Sequence, residues 1–228
     1  MDSYPWGSDD PRGYRNAMGR YKTTRERTFL DRHLPGTPTR LLDIGGGVGR
    51  FALPLALAGH KVTVVEQSVE AASVLEEQAA GRLDVIVGDF LGLDLEPTFD
   101  AAIAIESLVY FNREDPQDVF ARVSSALEPG GLFVFTMLNH DGWRAVAKRR
   151  LLGGRNLDYL YTCPRRTEAA LAAAGFEVLA MEGFMWLPVG VTSDSRAVRP
   201  LALIERALRL RRFISRSPWF LVAARKSR

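Results

Sequence analysis

Three groups of side chains in this 228-residue chain are spaced for chemistry. The first is the run LLDIGGGVGR at 41–50, in which Asp43 precedes Gly45, Gly46, Gly47 and Gly49. Glycine loses more conformational freedom on folding than any other residue. A cluster therefore calls for a turn with positive φ, or for a backbone lying close to another body. The second is Glu66, which ends KVTVVE 17 residues after Gly49. That is close to the ~20-residue offset at which an acid meets ribose hydroxyls. The third is Asp89 with Phe90, closing LDVIVGDF. A carboxylate there can accept from an exocyclic amine, with the ring or the backbone amide of Phe90 beside it. Together the three suit a nucleoside-like ligand.

The elements that must hold these groups are readable from apolar runs and stop signals. TRLLDI, KVTVVEQS (61–68), LDVIVGDF (83–90), FDAAIAIES (99–107) and LFVFTML (132–138) read as strands. FALPLALAGH, VEAASVLEEQAAG (69–81) and DPQDVFARVSSALEPGG (115–131) read as helices ending on glycine. Alternation of this kind predicts βαβ units in an α/β fold with a parallel sheet. The strands are nearly continuous apolar runs, so helices cover both faces. RRTEAALAAAGFEV adds a helix and a sixth strand, and WFLVAARK (219–226) closes as the last. Ligands of open parallel sheets sit beyond the carboxyl ends of the strands. All three groups fall there.

Two cofactor classes share this plan. A dinucleotide fingerprint would need glycine at 45, 47 and 50, but position 50 is Arg50. The pattern is D-x-G-x-G-x-G instead. An acid inside the loop repels a pyrophosphate and suits a cation. S-adenosylmethionine (SAM) carries an α-ammonium and a sulfonium and no phosphate, so Asp43 favours it on charge. Read in order, LLDIGGGVGRFALPLALAGHKVTVVEQS, VIVGDF, FDAAIAIES, LEPGGLFVFTMLN and AAGFEV resemble the class I SAM-dependent methyltransferases, most closely their small-molecule branch. The resemblance covers roughly residues 39–184 and the closing strand. It implies a Rossmann-like seven-stranded sheet of order 3-2-1-4-5-7-6 with the last strand antiparallel. It also implies that Asp43, Gly45, Gly46, Gly47 and Gly49 line the methionine end of SAM, and that Glu66 binds the ribose. Gln67, Asp89 and Phe90 would surround the adenine, and Ile105 and Glu106 would flank the methionyl group. The family often has Cys or Ser where this chain has Gly46, a difference taken as neutral. A helix ahead of the first strand often lids the cofactor, which nominates Tyr21 and Arg25, one turn apart. Arg25 would pair with the SAM carboxylate.

Methyl transfer mainly requires alignment and exclusion of water. An oxygen acceptor also wants a base, and His140, just past the fifth strand, is the best placed of the three histidines. Its plainer role is to cap the following helix. Aromatics crowd the parts outside the sheet. Tyr14, Tyr110, Trp143, Tyr159, Tyr161 and Trp186 are candidates for an acceptor pocket. The expected organisation is a single domain over 1–228. Residues 1–38 would form a helical lid, with insertions at 139–165 and 186–218 capping the acceptor site.

Composition narrows the classes. No run of eighteen apolar residues exists, so no membrane span is expected. The polar N-terminus does not read as a secretory signal. The single cysteine, Cys163, excludes an intramolecular disulfide, and no metal site is expected. A cytoplasmic protein is the simplest expectation. Charge is uneven. Residues 41–137 hold 5 basic and 15 acidic residues, whereas the stretch from Arg196 onward holds 10 basic residues and one acid. The basic tail suits an acidic or carrier-bound acceptor or a protein partner, and a homodimer is compatible with the sequence. Methylation of RNA or protein, and SAM binding without catalysis, are the alternatives. The fourth strand ends IESLVYF, without the Asn/Asp-Pro-Pro-aromatic loop of base-amine methylation. The expected activity is methyl transfer from SAM to a small molecule, to oxygen ahead of nitrogen or carbon.

Overall fold

The computed structural model describes residues 14–96, 98–111, 114–151 and 160–227. Helix α1 (Ala17–His33) opens it, capped by Asn16, whose side chain accepts from the Gly19 amide at 2.7 Å. β1 (Arg40–Ile44), α2 (Ala52–Leu57), β2 (Lys61–Glu66), α3 (Val69–Ala79), β3 (Asp84–Val87) and β4 (Phe99–Ala104) follow. Then come α4 (Pro116–Ala126), β5 (Leu127–Asn139), α5 (Trp143–Leu151), β6 (Tyr161–Thr162), α6 (Pro164–Ala173), β7 (Phe176–Phe184), α7 (Val198–Ala207) and β8 (Trp219–Lys226).

The sheet runs β3-β2-β1-β4-β5-β8-β7, and β8 is antiparallel to both neighbours. The expected order holds, but the count rises to eight. Tyr161–Thr162 adds the short β6 in parallel beside Leu138 and Asn139 of β5, off the main path. β5 also starts earlier than LFVFTML. Leu127 pairs with Phe99 ahead of a register shift, so LEPGG is the irregular entry to the strand and not a helix exit. α2 is a short six-residue helix, with Phe51 still in the turn after the glycines and Ala58 and Gly59 in the turn that leaves it.

Alternation along the strands builds two cores. Leu42, Phe133 and Phe135 face Phe120 of α4 and Phe176 of β7. Their neighbours Leu41 and Val134 face Phe29 of α1, Leu75 of α3 and Phe184. All of these except Phe176, at 4% exposed, are fully buried, and each large side chain contributes about 1.5–3 kcal/mol of burial. Covering both faces fixes the sheet, so the carboxyl ends of β1, β2, β3 and β4 open at one edge.

Candidate active site

The glycine bend leaves β1 at the centre of the sheet, between β2 and β4. Gly45, Gly47 and Gly49 have φ of +69°, +58° and +87°, the left-handed region that favours glycine. Space is also limiting. A Cβ on Gly45 would lie 2.6 Å from Ser107 Cβ, and one on Gly49 would lie 2.4 Å from Leu75 Cδ1. Gly46 is crowded as well. A Cβ there would meet Val64 Cγ1 at 2.7 Å and Asp43 Oδ2 at 2.8 Å, so Ser or Cys would displace one of them.

Glu66 closes the bend from β2. Its Oε2 accepts from the Gly47 amide at 2.8 Å and its Oε1 from the Ser68 amide at 2.9 Å. Asp43 is buried beside it. Burial first, and the negative charge of Glu66 second, push the Asp43 carboxyl up to about 7. The acid in the loop is therefore poised to ionise fully when a cation arrives.

A buried charge cluster joins this bend to α1. Lys22 Nζ donates to Glu106 Oε2 at 2.8 Å, and Arg50 Nη2 reaches Glu106 Oε1 at 3.1 Å. Arg50 Nη1 meets Glu26 Oε2 at 2.7 Å, and its guanidinium lies 3.9 Å from the Tyr14 ring centroid. Burial raises Glu26. Burial also opposes ionisation of Glu106, but Lys22 and Arg50 outweigh it and hold Glu106 below the usual carboxylate range. Glu106 has φ +60°, an unusual backbone conformation for a non-glycine residue, and its amide donates to Thr136 Oγ1 at 2.6 Å. Beside it Ser107 Oγ is buried with no hydrogen-bond partner among the described residues.

A cavity of about 480 Å³ opens here, lined by Tyr14, Asp43, Gly45, Gly46, Arg50 and Ile105 among others. It brings together the methionyl-side candidates Asp43, Gly45, Gly46, Gly49 and Ile105 with Tyr14. Glu66, Gln67, Asp89 and Phe90 sit at the adjoining ends of β2 and β3 and do not line it. Gln67 and Asp89 are exposed, and Asp89 Oδ1 accepts from the Leu91 amide at 3.2 Å. The Phe90 ring is buried in the core with Leu42 and Val65, so the ring is not offered to a ligand and only its backbone amide is available.

Tyr21 and Arg25 do not join the site. The Tyr21 hydroxyl donates to Glu205 of α7 and accepts from the Met185 amide at 3.1 Å, while Arg25 lies 3.8 Å from Glu182 of β7. Their face of α1 packs on α7 and β7. The residues one position further along, Lys22 and Glu26, are the ones that turn to the strand ends. The spacing showed a shared face without showing which face, and Lys22 and Glu26 have the same i, i+4 spacing. Arg50 is the other residue missed, noted in the sequence only for interrupting a dinucleotide pattern.

His140 follows β5. Its amide donates to the Thr162 carbonyl at 2.7 Å, and its half-exposed ring holds Nδ1 2.9 Å from Asp141 Oδ1. The ring engages Asp141 and not the helix that follows. Tyr110 is exposed and Tyr161 half-buried in β6. Trp143 lines a second cavity of about 440 Å³ with Arg144, Ala147, Lys148 and Leu151. Arg144 donates to the carbonyls of Leu187 and, at 2.6 Å, Val189, tying α5 to the segment that carries Trp186. Tyr159 lies outside the described residues.

Residues 41–131 match the family model described as a methyltransferase domain. The match spans less than half of the chain, and the chain as a whole has the fold of solved SAM-dependent methyltransferases. It is 32% identical over 146 residues to a ubiquinone biosynthesis O-methyltransferase of Chromobacterium violaceum, covering 61% of this chain and 60% of that protein. A protein of the same name from Methylocella silvestris is 28% identical over 212 residues, 81% of each chain. Among solved structures, a SAM-dependent methyltransferase from Mesorhizobium loti superposes with a TM-score of 0.64 at 23% identity, covering 88% of this chain and 97% of that one.

Proposed function

We propose that this chain transfers a methyl group from SAM to an oxygen of a small-molecule acceptor. The observation that carries the reading is the carboxylate-flanked glycine bend, with Asp43 beneath it and Glu66 closing it. The residues fit SAM. Three positive-φ glycines free the backbone of side chains, a Ser107 hydroxyl with no partner among the described residues stands beside Gly45, and Asp43 answers a cation. Bound there, SAM supplies a methyl group on a sulfonium that loses its charge on transfer. Asp43 and the bend hold the methionyl end, Glu66 accepts from the ribose hydroxyls, and Asp89 and the Phe90 amide face the adenine. Gln67 stands beside the adenine, and Ile105 keeps water from the reacting end. Lys22 of the lid helix and Arg50 of the bend take the cationic place at the methionyl end that Arg25 was expected to fill, and the lid role is assigned to residues 1–38.

Support for oxygen as the acceptor comes from the relatives named O-methyltransferases. His140 takes the acceptor proton at Nε2, with Asp141 holding Nδ1. The acceptor pocket is assigned to Trp143, Tyr161 and Trp186 of the segments 139–165 and 186–218, with Tyr14 and Tyr110 from outside them. The test is incubation with SAM and a panel of hydroxylated aromatic acceptors, read by mass spectrometry. Methylated product is expected, with kcat for His140→Ala falling about 10²–10⁴-fold. Methylation of amines alone, or an unchanged kcat for His140→Ala, would overturn the assignment.

A further inference from the structure

The segment from Arg196 to Arg216 combines two features that rarely coincide on a solvated face. It holds seven arginines, Arg196, Arg199, Arg206, Arg209, Arg211, Arg212 and Arg216, with one acid, Glu205, and no lysine. All seven arginines are exposed. Arg211 pairs with Glu182 at 3.5 Å, and among the described residues the other six make no ion pair. Glu205, the one acid, is turned inward and buried, taken by the Tyr21 hydroxyl. Nothing within the segment offsets the positive charge.

The apolar pattern is double-sided. Val198 and Glu205 are buried, and Leu201 and Ala202 pack against the core, which accounts for the inward face of α7. Four large apolar side chains remain outside: Leu203, Ile204, Leu208 and Phe213, at 66%, 53%, 60% and 60% exposed. Ile204 and Leu208 are one helical turn apart and form a stripe flanked by arginines. Single exposed leucines are ordinary, but grouped apolar side chains rimmed by cations mark a surface that is covered in use.

We propose that this face docks on an anionic phospholipid bilayer, lying in the plane of the membrane interface. Guanidinium groups match phosphate oxygens in pairs, while the apolar stripe enters the acyl boundary. The alternatives fit less well. A nucleic acid would leave the four apolar side chains against phosphate and water. A second copy would bring seven arginines against seven. Among the described residues no helix is long and apolar enough to cross a membrane, and α7 has ten residues, so the contact is interfacial. The inner face of the same helix packs on α1, the helix that carries Lys22 and Glu26 to the strand ends. The proposed bilayer contact and the candidate site thus share one support.

The test is flotation of the full chain with vesicles of phosphatidylcholine alone and of phosphatidylcholine mixed with phosphatidylglycerol. Binding to the mixed vesicles is expected, weakening as salt rises. Each of Arg206→Gln, Arg209→Gln and Arg212→Gln should reduce it about fivefold. Leu203→Ser/Ile204→Ser should reduce it by a factor that does not depend on salt. All variants alter exposed side chains, and unchanged melting curves check their folding. Equal binding to both vesicle types, binding to neither, or variants indistinguishable from wild type would overturn the proposal. So would tRNA binding in the absence of vesicle binding. The readout is vesicle binding and not methyl transfer, so it stands or falls apart from the proposed activity.

Discussion

Replacing Arg50 by methionine tests how the lid helix is held to the candidate site. Arg50 reaches Glu26 at 2.7 Å, Glu106 at 3.1 Å and Thr23 Oγ1 at 3.1 Å, and its own side chain is only 15% exposed. The substitution keeps most of the apolar contact with Tyr14 and Phe51 but leaves Glu26, whose side chain is 0% exposed, without its nearest cation. Removing one partner of a buried pair costs about 3–5 kcal/mol where the other group stays charged and desolvated, so the full loss is expected at a pH above the raised Glu26 value. In a domain of this size each kcal/mol lowers the melting temperature by about 2–4 °C, so a fall of about 10 °C is expected. Burial already raises Glu26, and losing Arg50 raises it further. A carboxyl raised on folding loses stability as pH rises, so the deficit should grow from acid toward alkaline pH. Adding Glu26→Met to Arg50→Met removes the stranded charge and should restore about half of the loss or more. Urea unfolding of wild type, single and double variants gives all three values. A single-variant loss below about 1 kcal/mol, the scale of an exposed pair, would refute the reasoning. A double variant no more stable than the single would refute it too.

Asp43 carries a pH prediction. Its carboxyl rises from 3.8 to about 7, so between those values the native state binds the extra proton and wild-type stability declines as pH increases. Asp43→Asn should flatten that decline in pH-dependent melting, and affinity for SAM should rise through neutrality in wild type but not in the variant. Tyr21→Phe should cost about 1–3 kcal/mol in urea unfolding, because Glu205 loses its donor and the Met185 amide its acceptor. Calorimetry should find its affinity for S-adenosylhomocysteine unchanged, which separates its packing role from the site. Gly47→Val, a β-branched residue at φ +58°, should lose detectable S-adenosylhomocysteine binding by calorimetry while keeping its circular dichroism spectrum.

The order of the sheet was legible because each strand is a compact apolar run and most helices stop on glycine or proline. The bend was legible because positive φ needs glycine at 45, 47 and 49, and those residues leave a mark that no packing argument is needed to read. α1 was not legible in detail. It buries Lys22 and Glu26 along with Phe29 and Leu30, so apolar periodicity does not identify its inward face. Ion pairing decides the orientation, and its partners, Arg50 and Glu106, are far away in sequence. Whether the ring or the amide of Phe90 is on offer was hidden for a related reason. An aromatic beside Asp89 suits a purine, but the residue after a strand end also roofs the core, and the core claims the ring. Two-residue β6 carries no periodic signal, and its pairing with the end of β5 emerges only from the fold.

The central claim is that the bend from Gly45 to Gly49, closed by Glu66, receives the nucleoside of SAM. Calorimetric titration of S-adenosylhomocysteine into wild type and Glu66→Ala tests it most directly. Wild type should bind, and the variant should be weaker by about 1.5–3 kcal/mol, roughly 10- to 150-fold, as a charged partner to both ribose hydroxyls is lost. A wild-type protein that does not bind, or a variant that binds equally well, would contradict the account.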